Sequence, residues 1–191
     1  MRTSLSDPLQ IAGITASGRG TIGVTLCPGK YQPNAATGGW DRNLQIDLDA
    51  IRAWGARLVV TLVTPAELVA LRVEALGEEV TARGMLWSHL PIEDFDIPTA
   101  DWELAWDKLN GGFHRLLDAN GRMLIHCKGG LGRAGLVAAR LLVERGIPAG
   151  QAISHVRRRR PGAIETEEQK AYLLHLDRFS IRHADETTLF S

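Results

Sequence analysis

Residues 123–145 constrain the fold most strongly. An apolar run, Met123-Leu124-Ile125, leads into His126-Cys127-Lys128-Gly129-Gly130-Leu131-Gly132-Arg133, and a longer apolar-rich run follows. The first run suits a buried strand and the second a helix, so the segment reads as strand, glycine-rich loop, helix. Cys127 then stands at the end of the strand and Arg133 at the mouth of the helix. That order suits a cysteine that attacks a phosphate. The attacking species must be a thiolate, and a free thiol of pKa about 8.5 is only about 3% ionised at pH 7. Loop N–H groups and the positive end of the following helix both favour the thiolate. Lowering the pKa to about 5.5 gives roughly a thirtyfold gain in nucleophile. Lys128, Gly129, Gly130, Leu131, Gly132 and Arg133 form the expected phosphate-binding set. The three glycines are expected to supply φ > 0 and to let the backbone approach a phosphate. Arg133 is expected to grip two phosphoryl oxygens at once.

The rest of the chain alternates in the same way. Residues 1–8 are expected to be loosely held. Leu9–Ile14 and Thr21–Leu26 read as β segments about a Ser17-Gly18-Arg19-Gly20 turn, and Pro28–Trp40 as a loop. Asn43–Trp54 is helical, with apolar residues at 44, 48 and 51, and Gly55 ends it. Leu58–Val63 is a buried strand. Thr64-Pro65-Ala66-Glu67 starts a helix with a cap, a proline and an acid. Val73–Ala82 and Asp101–Leu117 are helical, with a strand from Met85 to Leu90 between them. Met123–His126 feeds the loop. Gly132–Arg145, Ala149–Arg159 and Glu165–Phe179 are the closing helices. One domain over residues 1–191 is expected, of α/β class, with a central, largely parallel mixed sheet flanked by helices. The glycine-rich loop then lies at the carboxyl end of its strand, where such sheets bind ligands.

Breaking a phosphate ester expels an alkoxide or phenoxide. A carboxylic acid that protonates it typically contributes about 10²–10⁴ in rate. The candidates are Glu93, Asp94 and Asp96, bracketed by Pro91 and Pro98 after the Met85–Leu90 strand.

The loop resembles the His-Cys-x-x-Gly-x-x-Arg phosphate loop of cysteine-dependent protein tyrosine and dual-specificity phosphatases. The wider chain is similar to the branch around the kinase-associated phosphatase. Leu26-Cys27-Pro28-Gly29, Asp47-Leu48-Asp49-Ala50-Ile51 before Val59-Val60-Thr61-Leu62, Pro91-Ile92-Glu93-Asp94 and Pro161-Gly162-Ala163-Ile164-Glu165-Thr166 carry that similarity, in the family's order. The resemblance implies a phosphatase-like fold and hydrolysis of phosphate monoesters on phosphoproteins through a cysteinyl phosphate. It implies Cys127 as nucleophile, Arg133 as phosphate ligand and Asp94 as acid, with Asp96 as the rival. It also implies that His126 orders the loop and that Ile164 and Gln169 border the site, Gln169 orienting the attacking water. No metal or other cofactor is implied. One departure stands out: the family usually has Ser or Thr after the loop arginine, and this chain has Ala134. That change is expected to slow departure of the cysteine from the phosphoenzyme. It motivates an alternative reading, a slow phosphopeptide-binding adaptor. Lys128 motivates a second alternative, an inositol phosphate or phosphoinositide phosphatase.

Composition narrows the partners. The formal charge is zero over 191 residues, so no global field favours nucleic acid or an acidic membrane. No apolar run of about 18 residues is present, and no membrane insertion is expected. The N-terminus lacks a basic-then-apolar leader pattern, so a cytoplasmic location is expected. A monomer is expected, and the resemblance implies a phosphorylated protein as its substrate. Two cysteines make no disulfide framework, and Cys27 reads as a buried small residue. Arg157-Arg158-Arg159-Arg160 reads as a solvated last helical turn or a docking patch for an acidic partner. The tryptophans at 40, 54, 87, 102 and 106 read as packing residues.

Overall fold

The computed structural model describes residues 1–16, 20–36 and 38–176. The turn expected at Ser17–Gly20 and the end of the helix expected to reach Phe179 lie largely outside the described residues. Seven strands precede or alternate with six helices among those described: β1 Ala12–Thr15, β2 Thr21–Thr25, β3 Tyr31–Gln32, β4 Trp40–Asp41, α1 Leu44–Ala53, β5 Ala56–Thr61, α2 Pro65–Ala70, α3 Leu76–Ala82, β6 Leu86–His89, α4 Ala100–Asp118, β7 Arg122–His126, α5 Gly132–Glu144 and α6 Ala149–Arg159. Residues 167–176, beyond these six, form a seventh helix that runs to the end of the described residues.

The main sheet has the order β1-β2-β7-β5-β6. Only β1–β2 is antiparallel; β2–β7, β7–β5 and β5–β6 are parallel. Registers align the strand ends: Thr25 and Thr61 both pair with His126, and Thr61 pairs with His89. The loops after β2, β5, β6 and β7 therefore leave the sheet at one level, which is how residues far apart in sequence meet. The central strands read as continuous apolar runs because both faces are covered. One core joins the sheet to α4, α5 and α6 and includes Ile22, Ile125, Leu136, Leu141 and Val156. The other lies under α1 and α3 and includes Leu48, Ile51, Val59, Leu76 and Leu124. Trp102 and Trp106 stack at 5.0 Å in the first core.

Caps set the helix starts. Asn43 accepts the Ile46 N–H at 3.0 Å and begins α1. Thr64 and Glu67 form a reciprocal capping box with Pro65 at the first helical position of α2. Gly55, at φ 90°, follows α1 in the left-handed conformation that glycine adopts without steric cost.

Three expectations need correction. Residues 1–8 are docked: Arg2 bridges to Trp40, donates its N–H to Gly39 and accepts from Asp41. Arg2 also stacks 3.5 Å above the Trp40 ring, a cation–π contact that composition alone did not reveal. The Pro28–Trp40 loop contains β3 and contributes Trp40 to β4, the two strands of a small separate ribbon. The helix expected from Val73 begins at Leu76, because Arg72 takes φ 59° and residues 73–75 turn before the helix.

Candidate active site

Cys127 follows β7 directly, and the loop to Arg133 lies across the carboxyl ends of β2 and β5. The close approach to β2 falls on Gly130. It takes φ +69°, and a Cβ there would stand 2.3 Å from the Thr25 carbonyl carbon. Gly132 is also confined, with a hypothetical Cβ 2.6 Å from a Glu165 carboxylate oxygen. Gly129 has no such constraint from the protein and no positive φ. Of the three glycines expected to need φ > 0, only Gly130 does.

His126 is fully buried. Its Nε2 meets the Thr61 hydroxyl at 2.8 Å, and that hydroxyl accepts the Trp87 indole N–H at 2.9 Å. The contact ties β7 to β5 just below the nucleophile. Burial pushes the His126 pKa down to about 3, so the ring is neutral at physiological pH. A proton-donating role is thus closed to it, in keeping with its reading as an ordering residue.

Arg133 begins α5 with only 1% of its surface exposed. Nη1 and Nη2 grip both oxygens of Glu67 at 2.6 and 2.9 Å. Nη1 also donates to the Ile92 carbonyl at 2.8 Å, and Nη2 to Asp94 Oδ1 at 2.7 Å. Nε is a buried donor with no hydrogen-bond partner. Buried donors are rarely left so, and at a proposed anion site the orphan is informative. Burial favours the neutral form of Glu67. Hydrogen bonds from Arg133 and the Thr64 N–H outweigh it and hold the carboxyl below its usual range.

The acid candidates separate in space. Asp94 reaches Arg133 and lies 3.5 Å from Lys128 Nζ. Asp94, Phe95 and Lys128 line a cavity of about 490 Å³ together with Gly129, Leu131 and Glu165. Glu93 and Asp96 line a different, smaller hollow beside Thr64 and Pro65. Asp96 spends its carboxylate on the Ile97 N–H at 2.8 Å. Phe95, between the two aspartates, takes φ 64°, which turns its neighbours to opposite sides. Cys127 itself is 3% exposed, between the cavity-lining Lys128 and the buried His126.

Gln169 packs beside Gly132 of the phosphate loop. It is fully buried, its Nε2 donates to the Asp96 carbonyl at 3.1 Å and its Oε1 accepts the Glu165 N–H at 2.9 Å. It ties the acid loop to the 163–166 segment, and its amide lies against the phosphate loop, 3.2 Å from where a Cβ on Gly132 would stand. Glu165 does reach the loop: a carboxylate oxygen accepts the Gly132 N–H at 2.7 Å. Ile164 borders the loop, its N–H 3.4 Å from the Leu131 carbonyl. Ala134 is fully buried, within the α5 face of the core. Cys27 is buried and unbridged, and burial pushes its thiol pKa up.

Sequence reasoning missed Glu67 and Glu165 as site residues. Glu67 was legible as the third helical residue of a capping box. Its second task, holding Arg133, depends on the parallel packing of β5 beside β7. Among the described residues no group of three or more His, Cys, Asp and Glu gathers as a metal cluster, and no helix is long and apolar enough to cross a membrane.

A loop of this form at the carboxyl edge of a largely parallel sheet, with an arginine at the following helix start, defines the class of protein-tyrosine-phosphatase-like folds. A sequence model described as cyclin-dependent kinase inhibitor 3 (CDKN3) matches residues 17–153, and the chain belongs to that family. The rat protein named cyclin-dependent kinase inhibitor 3 (Rattus norvegicus) is 36% identical over 137 residues, 69% of this chain and 62% of the relative. The chain thus matches less than two thirds of that curated relative's length. A crystal structure of kinase-associated phosphatase, with its catalytic cysteine replaced by serine, superposes with a TM-score of 0.77 at 29% identity, covering 87% of this chain and 93% of the other. The structure of Tk-PTP in its active form gives a TM-score of 0.65 at 30% identity, covering 87% and 97%.

Proposed function

We propose that the chain hydrolyses phosphate monoesters on phosphoproteins, on tyrosine and on serine or threonine, through a phosphocysteine at Cys127. The observation that carries this is Arg133: a buried guanidinium at the first turn of α5, aimed by Glu67, with an unpartnered Nε donor beside the cysteine loop. Membership of the family and the likeness to kinase-associated phosphatase support the reading.

The proposed cycle has two steps. The phosphate dianion competes for Arg133 and for the loop N–H groups, releasing Asp94 towards the leaving oxygen. Cys127 Sγ attacks phosphorus, the ester bond breaks, and Asp94 gives its proton to the departing oxygen. Water then attacks the phosphocysteine, Asp94 takes its proton, and the thiolate leaves with inorganic phosphate released. Charge on the phosphoryl oxygens is met throughout by Arg133 and backbone N–H groups. A reducing compartment such as the cytoplasm suits an unbridged nucleophilic cysteine.

Hydrolysis of an aryl phosphate tests this. Cys127→Ser should abolish turnover, and Asp94→Asn should cost about 10²–10⁴ in rate. Activity that survives Cys127→Ser overturns the mechanism, and a larger loss from Asp96→Asn than from Asp94→Asn overturns the acid assignment. A second reading, an inositol phosphate as substrate, is favoured by Lys128, whose ammonium reaches Asp94 at the cavity wall. Turnover of a phosphoinositide no faster than of phosphopeptides would count against it.

A further inference from the structure

Three consecutive carbonyls of the loop are each held from outside by a cation. Lys30 Nζ donates to the Lys128 carbonyl at 3.1 Å. Arg160 Nη2 donates to the Gly129 carbonyl at 3.1 Å and its Nε to the Gly130 carbonyl at 2.9 Å. Lys30 comes from the segment before β3 and Arg160 from the end of α6, so two unrelated elements converge on one backbone stretch. Lys30 is only 3% exposed, and its other bond is to the Gln32 side-chain oxygen at 3.2 Å. Among the described residues neither cation forms an ion pair with a carboxylate, in contrast to Arg42, Arg133 and Arg140. A buried cation without a carboxylate is costly; the Trp40 ring, 4.9 Å from Lys30 Nζ, offsets part of that cost and the loop carbonyls part of the rest, so the placement against these carbonyls calls for a reason.

The peptide plane supplies it. Among the described residues no cis peptide is present, so each loop carbonyl points away from the N–H of the same peptide unit. With the carbonyls of 128, 129 and 130 turned towards Lys30 and Arg160, the N–H groups of Gly129, Gly130 and Leu131 face the opposite way. A cation on a carbonyl also polarises its peptide, making the N–H a stronger donor. We propose that Lys30 and Arg160 are positioning residues for the phosphate loop: by gripping three carbonyls from behind, they fix and strengthen the N–H donors that hold the Cys127 thiolate and the phosphate. This rests on the phosphatase reading and deepens it.

The electrostatic surroundings agree. Burial pulls the Lys30 pKa down to about 8, while Cys27 and, less strongly, Cys127 act in the other direction. Burial also lowers that of Arg160, again opposed by Cys127. Lys30, Arg133 and Arg160 and the buried Cys27 lie near enough to Cys127 to feel its charge, and neutral His126 directly precedes it in the chain. Lys128, Asp94 and Glu165 stand at the mouth, with Glu67 behind Arg133. The inference also reassigns part of the arginine run. Arg157 is spent on the carbonyls of Ala163 and Ile164 and Arg160 on the loop, leaving Arg158 and Arg159 exposed.

The test is the pH profile of Cys127 alkylation by iodoacetamide, a neutral reagent, on the full chain, with Cys127→Ser subtracted as background. Lys30→Met and Arg160→Met should each move the midpoint upward by about one pH unit and raise the inhibition constant of inorganic phosphate. Lys30→Arg should restore most of the wild-type profile, and Arg160→Lys part of it, since an ammonium keeps the charge but loses the fork. A merely structural role would lower stability and leave the midpoint in place. Midpoints within about 0.2 pH units of wild type in the folded variants overturn the proposal. The conservative pair keeps this comparison open if a methionine variant does not fold, since Arg160→Lys must then still shift the midpoint. A wild-type midpoint near that of a free thiol overturns the phosphatase reading itself, and the proposal with it.

Discussion

Glu67→Ala should unsettle both the fold and the anion site, because Glu67 is the carboxylate that aims Arg133. The wild-type pair joins a guanidinium 1% exposed to a carboxylate 17% exposed, through two bonds of 2.6 and 2.9 Å. Removing one partner of a buried pair costs about 3–5 kcal/mol. Two features reduce that here: Arg133 keeps the Ile92 carbonyl and Asp94, and Glu67 is not fully buried. Half of the capping box is lost as well: the Thr64 N–H loses its carboxylate acceptor, while the Thr64 hydroxyl still caps the backbone N–H of residue 67. Taken together, a loss of about 2–4 kcal/mol is expected. At roughly 2–4 °C per kcal/mol for a chain of this size, thermal unfolding by circular dichroism should fall by about 4–16 °C. KM for an aryl phosphate should rise about tenfold as the fork loses its aim, while Glu67→Gln, which keeps one acceptor, should fall between. A Glu67→Ala variant that melts within about 2 °C of wild type with unchanged KM would refute the assignment.

Further outcomes follow from single residues. The unfolded imidazole titrates at about 6.5 and that of His126 at about 3. Between these values the unfolded chain binds the extra proton, so the contribution is fully present above pH 6.5 and is lost as pH falls. About 2 kcal/mol should be gone by pH 5, and urea midpoints at pH 7 and 5 should show a smaller drop for His126→Gln than for wild type. Gly130→Ala, forced to φ +69° and against the Thr25 backbone, should unfold more readily and lose phosphate binding. Gly129→Ala, with open space around its Cβ, should keep stability within about 0.5 kcal/mol of wild type by urea titration. Ala134→Ser should speed the second step, and pre-steady-state kinetics should show a smaller phosphoenzyme pool; an unchanged pool would show that the missing hydroxyl does not limit turnover.

The sequence was most informative where local chemistry and periodicity agree. The apolar strand, glycine loop and helical run around Cys127 were legible, as were the Thr64 cap and the α1 pattern, because each follows from neighbours in the chain. The parallel sheet followed from alternation of strands and helices. What stayed hidden depends on distant contacts. Glu67 looked like an ordinary first-turn acid, since nothing local shows that β5 and β7 are adjacent. Arg160 looked like one charge in a solvated run, although α6 ends against the loop. Gln169 was a candidate to orient water, and its burial between the acid loop and the 163–166 segment comes from contacts that no local pattern shows. The docked N-terminus was hidden because its partner, Trp40, contributes through a ring face rather than a sequence pattern.

Rapid quenching of a reaction with a labelled phosphopeptide, followed by peptide mapping, addresses the central claim most directly. Phosphate should be found on Cys127 and on no residue of the Cys127→Ser chain. Turnover without label at Cys127, or label that persists in Cys127→Ser, would contradict the account.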